Sequence, residues 1–127
     1  MSGAGAPHIL IVEDSEDVVL ALRLVMESAG HRVTTAMTVA DAVQAGAADP
    51  VDVMLLDLTL PDGNGLDVLG QLEAAGRLPR HTIALTGRDE VEVRDRCLAC
   101  GCGEVMVKPV PVRALIQRVG ELVAAFP

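Results

Sequence analysis

The sequence predicts an α/β domain built on a doubly wound parallel sheet. Five short apolar runs alternate with five helical stretches along the chain, and that alternation calls for right-handed parallel crossovers. The apolar content is dominated by Ala, Val and Leu, with no Trp or Tyr and a single Phe, Phe126. An aliphatic composition of this kind suits strands covered by helices on both faces. A chain of 127 residues is one domain, large enough to bury a real core.

The elements follow in order. His8 to Val12 (HILIV) is a short apolar run with β-branched residues and reads as a buried strand. An acidic stretch, Glu13 to Asp17, comes next, with Ser15 placed to cap a helix running to about Ala29. Val18, Ala21, Leu22 and Val25 mark that helix's inner face, and Gly30 its stop. Arg32 to Ala36 is the second strand. Thr38 caps a short helix through about Ala45, and Gly46 to Pro50 is a loop. Val51 to Leu56 is the third strand, which Asp57 ends. Pro61, Asp62, Gly63, Asn64 and Gly65 supply turn chemistry. Leu66 to Ala75 is a helix closed by Gly76, and Thr82 to Leu85 the fourth strand. Asp89 to Cys100 is a charged helix ended by Gly101, and Glu104 to Val107 the fifth strand. Pro111, suited to a first helical position, starts the last helix, through about Ala124. Its apolar face is Leu115, Ile116, Val119, Leu122 and Val123.

In a doubly wound sheet the site lies beyond the carboxyl ends of the strands. The first strand ends in Glu13 and Asp14, the third in Asp57, the fourth in Thr86 and Gly87, and the fifth in Lys108 and Pro109. The second contributes nothing chemical. Asp57 sits between Leu56 and Leu58, where an ionised carboxylate is expensive unless something pairs with it. Three carboxylates gathered at one edge raise one another's pKa values unless cations balance them. A hard divalent metal with oxygen ligands fits, Mg²⁺ best, because it uses a few carboxylates and keeps waters and phosphate oxygens. Lys108 is the second cation. A phosphoryl group on Asp57 would meet a metal, an ammonium and the Thr86 hydroxyl, a setting for phosphoryl transfer by positioning and charge stabilisation. Carboxylates are known nucleophiles that form aspartyl-phosphate. Taken singly, each residue has a plainer reading: a turn aspartate, acids near a helix N-terminus, a solvated lysine, a strand-end threonine. Their joint placement on one sheet edge favours the site.

The stretches "ILIVEDSEDV", "VMLLDLTLPDGNGLDVL", "IALTGR" and "VMVKP" together resemble a response-regulator receiver domain of two-component signalling. The likeness runs from about Pro7 to Phe126, leaving residues 1–6 as a flexible leader. It implies a flavodoxin-like (βα)5 fold with strand order 2-1-3-4-5. It implies that Asp57 is the phosphoacceptor and that Glu13 and Asp14 hold Mg²⁺ with Asp57, completed by the Thr59 backbone carbonyl. Thr86 would be the switch hydroxyl, Lys108 would contact the phosphate, and the Lys108–Pro109 bond would be cis. The phosphoryl group would come from a histidine kinase or phosphotransfer protein, and the domain would catalyse its own dephosphorylation. Output would use the face of the fourth helix, fifth strand and fifth helix. Two positions depart from the family's habit. Val105 stands where receivers commonly carry Tyr or Phe, so an inward-turning ring is missing from the switch. The acid pair is Glu-Asp where Asp-Asp is common.

Composition excludes other classes. The net charge of −8 and the lack of aromatic platforms argue against direct nucleic-acid binding. Met1 to Pro7 lacks the basic and apolar regions of a signal peptide, and no apolar stretch approaches a membrane span. The odd, clustered Cys97, Cys100 and Cys102 make a poor disulfide framework and suit a reducing cytoplasm. They read as small core residues, because no second CxxC pair exists. His8, His31 and His81 start strands, away from the acidic edge. "DGNG" lacks the Walker pattern and reads as a turn. The charged stretch Arg88 to Arg96 reads as a solvated face. A hydrolase of the haloacid-dehalogenase type is disfavoured: Thr59 stands where its second Asp is expected, and Asp57 lies on the third strand. A pseudo-receiver would be expected to lose the acceptor, the acid pair or the lysine, and all are retained.

Overall fold

The computed structural model of the protein describes residues 6–88 and 90–126. Most of the leader and the helix start at Asp89 lie outside the described residues. The elements are β1 (His8–Val12), α1 (Glu16–Ser28), β2 (Arg32–Ala36), α2 (Val39–Ala48), β3 (Val53–Asp57), β4 (Thr59–Leu60), β5 (Gly63–Asn64), α3 (Leu66–Ala74), β6 (His81–Thr86), α4 (Val91–Ala99), β7 (Glu104–Val107) and α5 (Val112–Ala125). The main sheet has the order β2-β1-β3-β6-β7 and every pair in it is parallel. This is the expected five-stranded order. The short antiparallel hairpin β4–β5 only takes up two numbers.

Side chains of a strand alternate between faces, and the core divides accordingly. Leu10, Val12, Met54, Leu56 and Ala84 face one layer with Val39, Ala42, Leu69, Leu72 and Cys97. Ile9, Ile11, Val53, Leu55, Ile83 and Leu85 face the other, against Leu22, Met26, Leu115, Val119 and Leu122. Fully burying each such aliphatic chain contributes on the order of 2 kcal/mol. This rigid double-sided sheet is what fixes the strand ends in place. The layers are not equally secured. Cys97 is the one fully buried residue of α4, whereas α3 buries four residues.

Several details differ from the sequence expectation. α2 runs on to Ala48, with Gly46 inside it, because a Cβ at Gly46 would press on the Leu72 side chain; the glycine is a packing site between α2 and α3. β3 begins at Val53, although the Asp52 amide already donates to the His8 carbonyl at 2.9 Å, and it includes Asp57. Ser15 occupies the N-cap of α1 without a side-chain capping bond, while Thr38 does cap α2, its Oγ1 accepting from the Asp41 amide at 3.1 Å. Val18 and Ala21 are exposed, because α1 stands away from α5 at that end and leaves a groove. Cys97 and Cys102 are buried as expected, but Cys100 is exposed at the end of α4. His8 is buried, its ring nitrogens bonded to the Pro50 carbonyl and the Thr34 hydroxyl at the amino ends of the strands.

Candidate functional site

The carboxyl ends of β1, β3, β6 and β7 collect the expected residues at one sheet edge. Glu13 continues the line of β1, its amide donating to the Ala36 carbonyl at 3.0 Å, so its position is set by the sheet. Its carboxylate is buried, at 4% residue exposure, and Oε2 accepts from the Ser15 amide at 3.2 Å. Asp14 follows, exposed. Asp57 is 5% exposed, and its Oδ1 accepts from the Thr59 amide at 3.0 Å. Lys108 reaches across from the end of β7. Its Nζ lies 3.1 Å from Asp57 Oδ2 and 3.3 Å from Glu13 Oε1. The Lys108–Pro109 peptide is cis. Thr86 is buried; its hydroxyl accepts from the Arg88 amide at 3.1 Å, and its carbonyl accepts from the Lys108 amide at 2.7 Å. An accepting hydroxyl retains its own proton to donate.

The electrostatics follow from this crowding. Burial first, and then hydrogen bonding with Asp57 and Asp14, push the Glu13 carboxyl above the usual carboxylate range. Burial pulls the Lys108 ammonium down, but its bonds and charge interactions with Asp57 and Glu13 outweigh this and hold it above its ordinary value. A group whose folded pKa is raised contributes stability that is present below the unfolded value and lost as pH rises through the folded one. The metal-free chain with Glu13→Gln is therefore expected to melt a few degrees above wild type near neutral pH. The gap should close toward pH 4.5, the ordinary Glu value. Thermal melts across that range check it, and equal melting temperatures near neutrality would contradict it.

Glu13, Asp14 and Asp57 each offer a carboxylate oxygen, and these oxygens lie within 4.8 Å of one another. Two of the three acids are buried, one carries a raised pKa, and the donors are all oxygen. That set fits a hard divalent cation of the Mg²⁺ kind and does not suit a soft metal. Beside Glu13 and Lys108 opens a groove of about 560 Å³ walled largely by apolar residues, among them Val18, Leu22, Val110 and Leu115.

The strand-end residues are evident from the sequence; what surrounds them is not. Thr59 was singled out for its carbonyl, yet its amide also bonds Asp57. Gly65 was read only as a turn residue. A Cβ there would strike the Asp57 backbone carbonyl and lie 3.0 Å from Leu58 Cα. The Gly65 amide donates to the Leu58 carbonyl at 2.9 Å, drawing the two segments together. The pair of glycines two apart in "DGNG" was the available signal for a close backbone approach. Val105 pairs with Ala84 and, like Val93, packs partly buried against the core layer that holds Cys97 and Cys102.

Comparison with known proteins bears on the fold and the family. Residues 9–120 match the family model of the response regulator receiver domain. The swarming motility regulation protein RssB of Serratia marcescens is 40% identical over 113 residues, covering 88% of this chain and 51% of that protein. The chain spans about half the length of the curated relatives it matches. Among solved structures, the non-phosphorylated HemR receiver domain of Leptospira biflexa superposes with a TM-score of 0.84 at 30% identity, covering 95% of this chain and 97% of that one. The receiver domain of the sensor histidine kinase PA1611 of Pseudomonas aeruginosa PAO1, solved with a magnesium ion in its active site cleft, gives 0.80 at 25% identity, covering 95% and 100%.

Proposed function

This chain belongs to the response regulator receiver domain family, and from that membership we propose that it takes a phosphoryl group onto Asp57 with Mg²⁺ bound at Glu13, Asp14 and Asp57. The observation that carries the reading is the Lys108 ammonium, 3.1 Å from Asp57 and 3.3 Å from Glu13. It is a fixed positive charge beside two buried carboxylates. An Asp57 oxygen attacks the phosphorus of a phosphohistidine donor, the N–P bond breaks, and the imidazole leaves. Negative charge on the phosphoryl oxygens meets the Lys108 ammonium, the Thr59 amide and the Thr86 hydroxyl. Mg²⁺, held by the three carboxylates and the Thr59 carbonyl, would supply further neutralisation of that charge. Water attacking the same phosphorus later breaks its bond to the Asp57 oxygen, releases inorganic phosphate and returns the free carboxylate, so the domain catalyses both its loading and its clearing.

The partners of this reading are a histidine kinase or phosphotransfer protein as donor and an output partner reached through the face of α4, β7 and α5. A cytoplasmic place agrees with both. Among the described residues no helix is long and apolar enough to cross a membrane. Incubation with Mg²⁺ and acetyl phosphate, followed by intact mass and peptide mapping, tests the reaction. One phosphoryl adduct, on the peptide containing Asp57 and absent when the metal is chelated, is expected. An unmodified chain, or an adduct elsewhere, would sink the reading.

A further inference from the structure

The hairpin β4–β5 is bonded to different parts of the molecule at its base and at its tip. At the base, the Thr59 amide donates to Asp57 Oδ1 at 3.0 Å. At the tip, the Asp62 carboxylate reaches α2. Its Oδ1 accepts from the Val39 amide at 2.7 Å and its Oδ2 from the Ala40 amide at 3.1 Å. These are the first two amides of α2, which have no acceptor within their own helix. Negative charge at a helix N-terminus is also favoured by the helix dipole. The bond from Val39 is the chief reason the Asp62 carboxyl lies below the usual carboxylate range. Yet α2 already has its own cap in Thr38, which takes the Asp41 amide. Asp62 is therefore more than a helix initiator: it attaches the hairpin to a helix that is packed into the core through Val39 and Ala42.

Resting on the phosphoacceptor reading above, we propose that Asp62 is a positioning residue of the Asp57 site. By clamping the hairpin tip to the N-terminus of α2, it holds the Thr59 main chain against the acceptor carboxylate. Leu60, buried in the core, and Asp62 then fix the hairpin at two points beyond Thr59. Without the clamp, what restrains it among the described residues is Leu60, the short β4–β5 ladder and the Gly65–Leu58 bond at its base. Thr59 both donates to Asp57 and is the residue whose carbonyl is assigned to the metal, so looseness there is felt twice. Groups that orient metal ligands from outside commonly change metal affinity by an order of magnitude or more.

Calorimetric titration of Mg²⁺, together with the amide NMR shifts of Thr59, Val39 and Ala40 on adding beryllofluoride, tests this with three variants. Asp62→Ala is expected to weaken Mg²⁺ binding about 10-fold and to uncouple the Val39 and Ala40 amides from the beryllofluoride response. Asp62→Asn, which keeps one acceptor, should fall between it and wild type. Thr38→Ala removes the other cap of α2 and leaves the hairpin bonds intact, so it should bind as wild type. Equal affinity in Asp62→Ala, or an equal loss in Thr38→Ala, would overturn the proposal, the second by reducing Asp62 to helix stability alone. Should Asp62→Ala fail to fold by circular dichroism, Asp62→Asn against Thr38→Ala carries the same comparison. A wild-type chain that binds neither Mg²⁺ nor beryllofluoride would overturn the phosphoacceptor reading and this proposal with it.

Discussion

Asp57→Asn is expected to take up no phosphoryl group from acetyl phosphate while melting no lower than the wild-type chain. The two halves have separate causes. A carboxamide is not a nucleophile toward phosphorus, and no other carboxylate at the site is placed like Asp57, 3.1 Å from Lys108 and bonded to the Thr59 amide. Stability should survive because the asparagine oxygen still accepts from Thr59, while one of two buried acids facing Lys108 is removed. Part of what holds the Glu13 pKa up is Asp57. With that neighbour neutral, Glu13 ionises more readily and pairs with Lys108. A site that is strained for function commonly gains stability when its chemistry is removed. Intact mass and thermal melts read both halves. Residual adduct in the variant would mean a second acceptor, and a large drop in melting temperature would mean that Asp57 is there for the fold.

Gly65→Ala should be the most damaging single methyl group at the site. The added carbon would strike the Asp57 carbonyl and crowd Leu58 Cα. Both are backbone, so no side chain can swing aside. Overpacking of this kind costs about 3 kcal/mol, and here the displaced segment bears the acceptor, so phosphoryl uptake should fall with stability. Gly120→Ala is the matching control. Nothing lies within 4 Å of a Cβ at Gly120, inside α5, and the gain in helix propensity should stabilise by about 0.5–1 kcal/mol. Urea denaturation of both variants checks the contrast. Equal stabilities would show that the backbone at Asp57 yields more easily than its packing implies.

The sheet and the edge where the acids meet were legible because the signals are strong and local. Short apolar runs such as HILIV and VMLLD, bounded by polar and turn residues, read as buried strands, and a parallel sheet brings their carboxyl ends together wherever the intervening helices run. Asp57, Glu13, Asp14, Thr86 and Lys108 were therefore found by asking which residues follow the strands. What was not legible depends on contacts made over distance or on too few residues to show a period. β4 and β5 are two residues each, too short for alternation to register. The Asp62 clamp spans more than twenty residues and could not be told from an ordinary turn aspartate. The helix through Gly46 was cut short because a glycine reads as a stop until Leu72 is seen against it. Val18 and Ala21 lie on the apolar stripe of α1, yet α5 leaves them uncovered, and periodicity carries no information about how far a neighbour extends.

The small side chains around Val105 limit the kinds of motion open to this face. A β-branched residue on a strand has little rotameric freedom, and Ala84, Cys97 and Val93 have no long arm to swing. Any rearrangement of α4 against the sheet would therefore take the form of sliding of the helix as a unit, the shear mode of conformational change. Few buried apolar contacts mean low local stability. With Cys97 alone buried on α4, against two residues in α1, three in α2 and α5 and four in α3, α4 is the helix least anchored to the core.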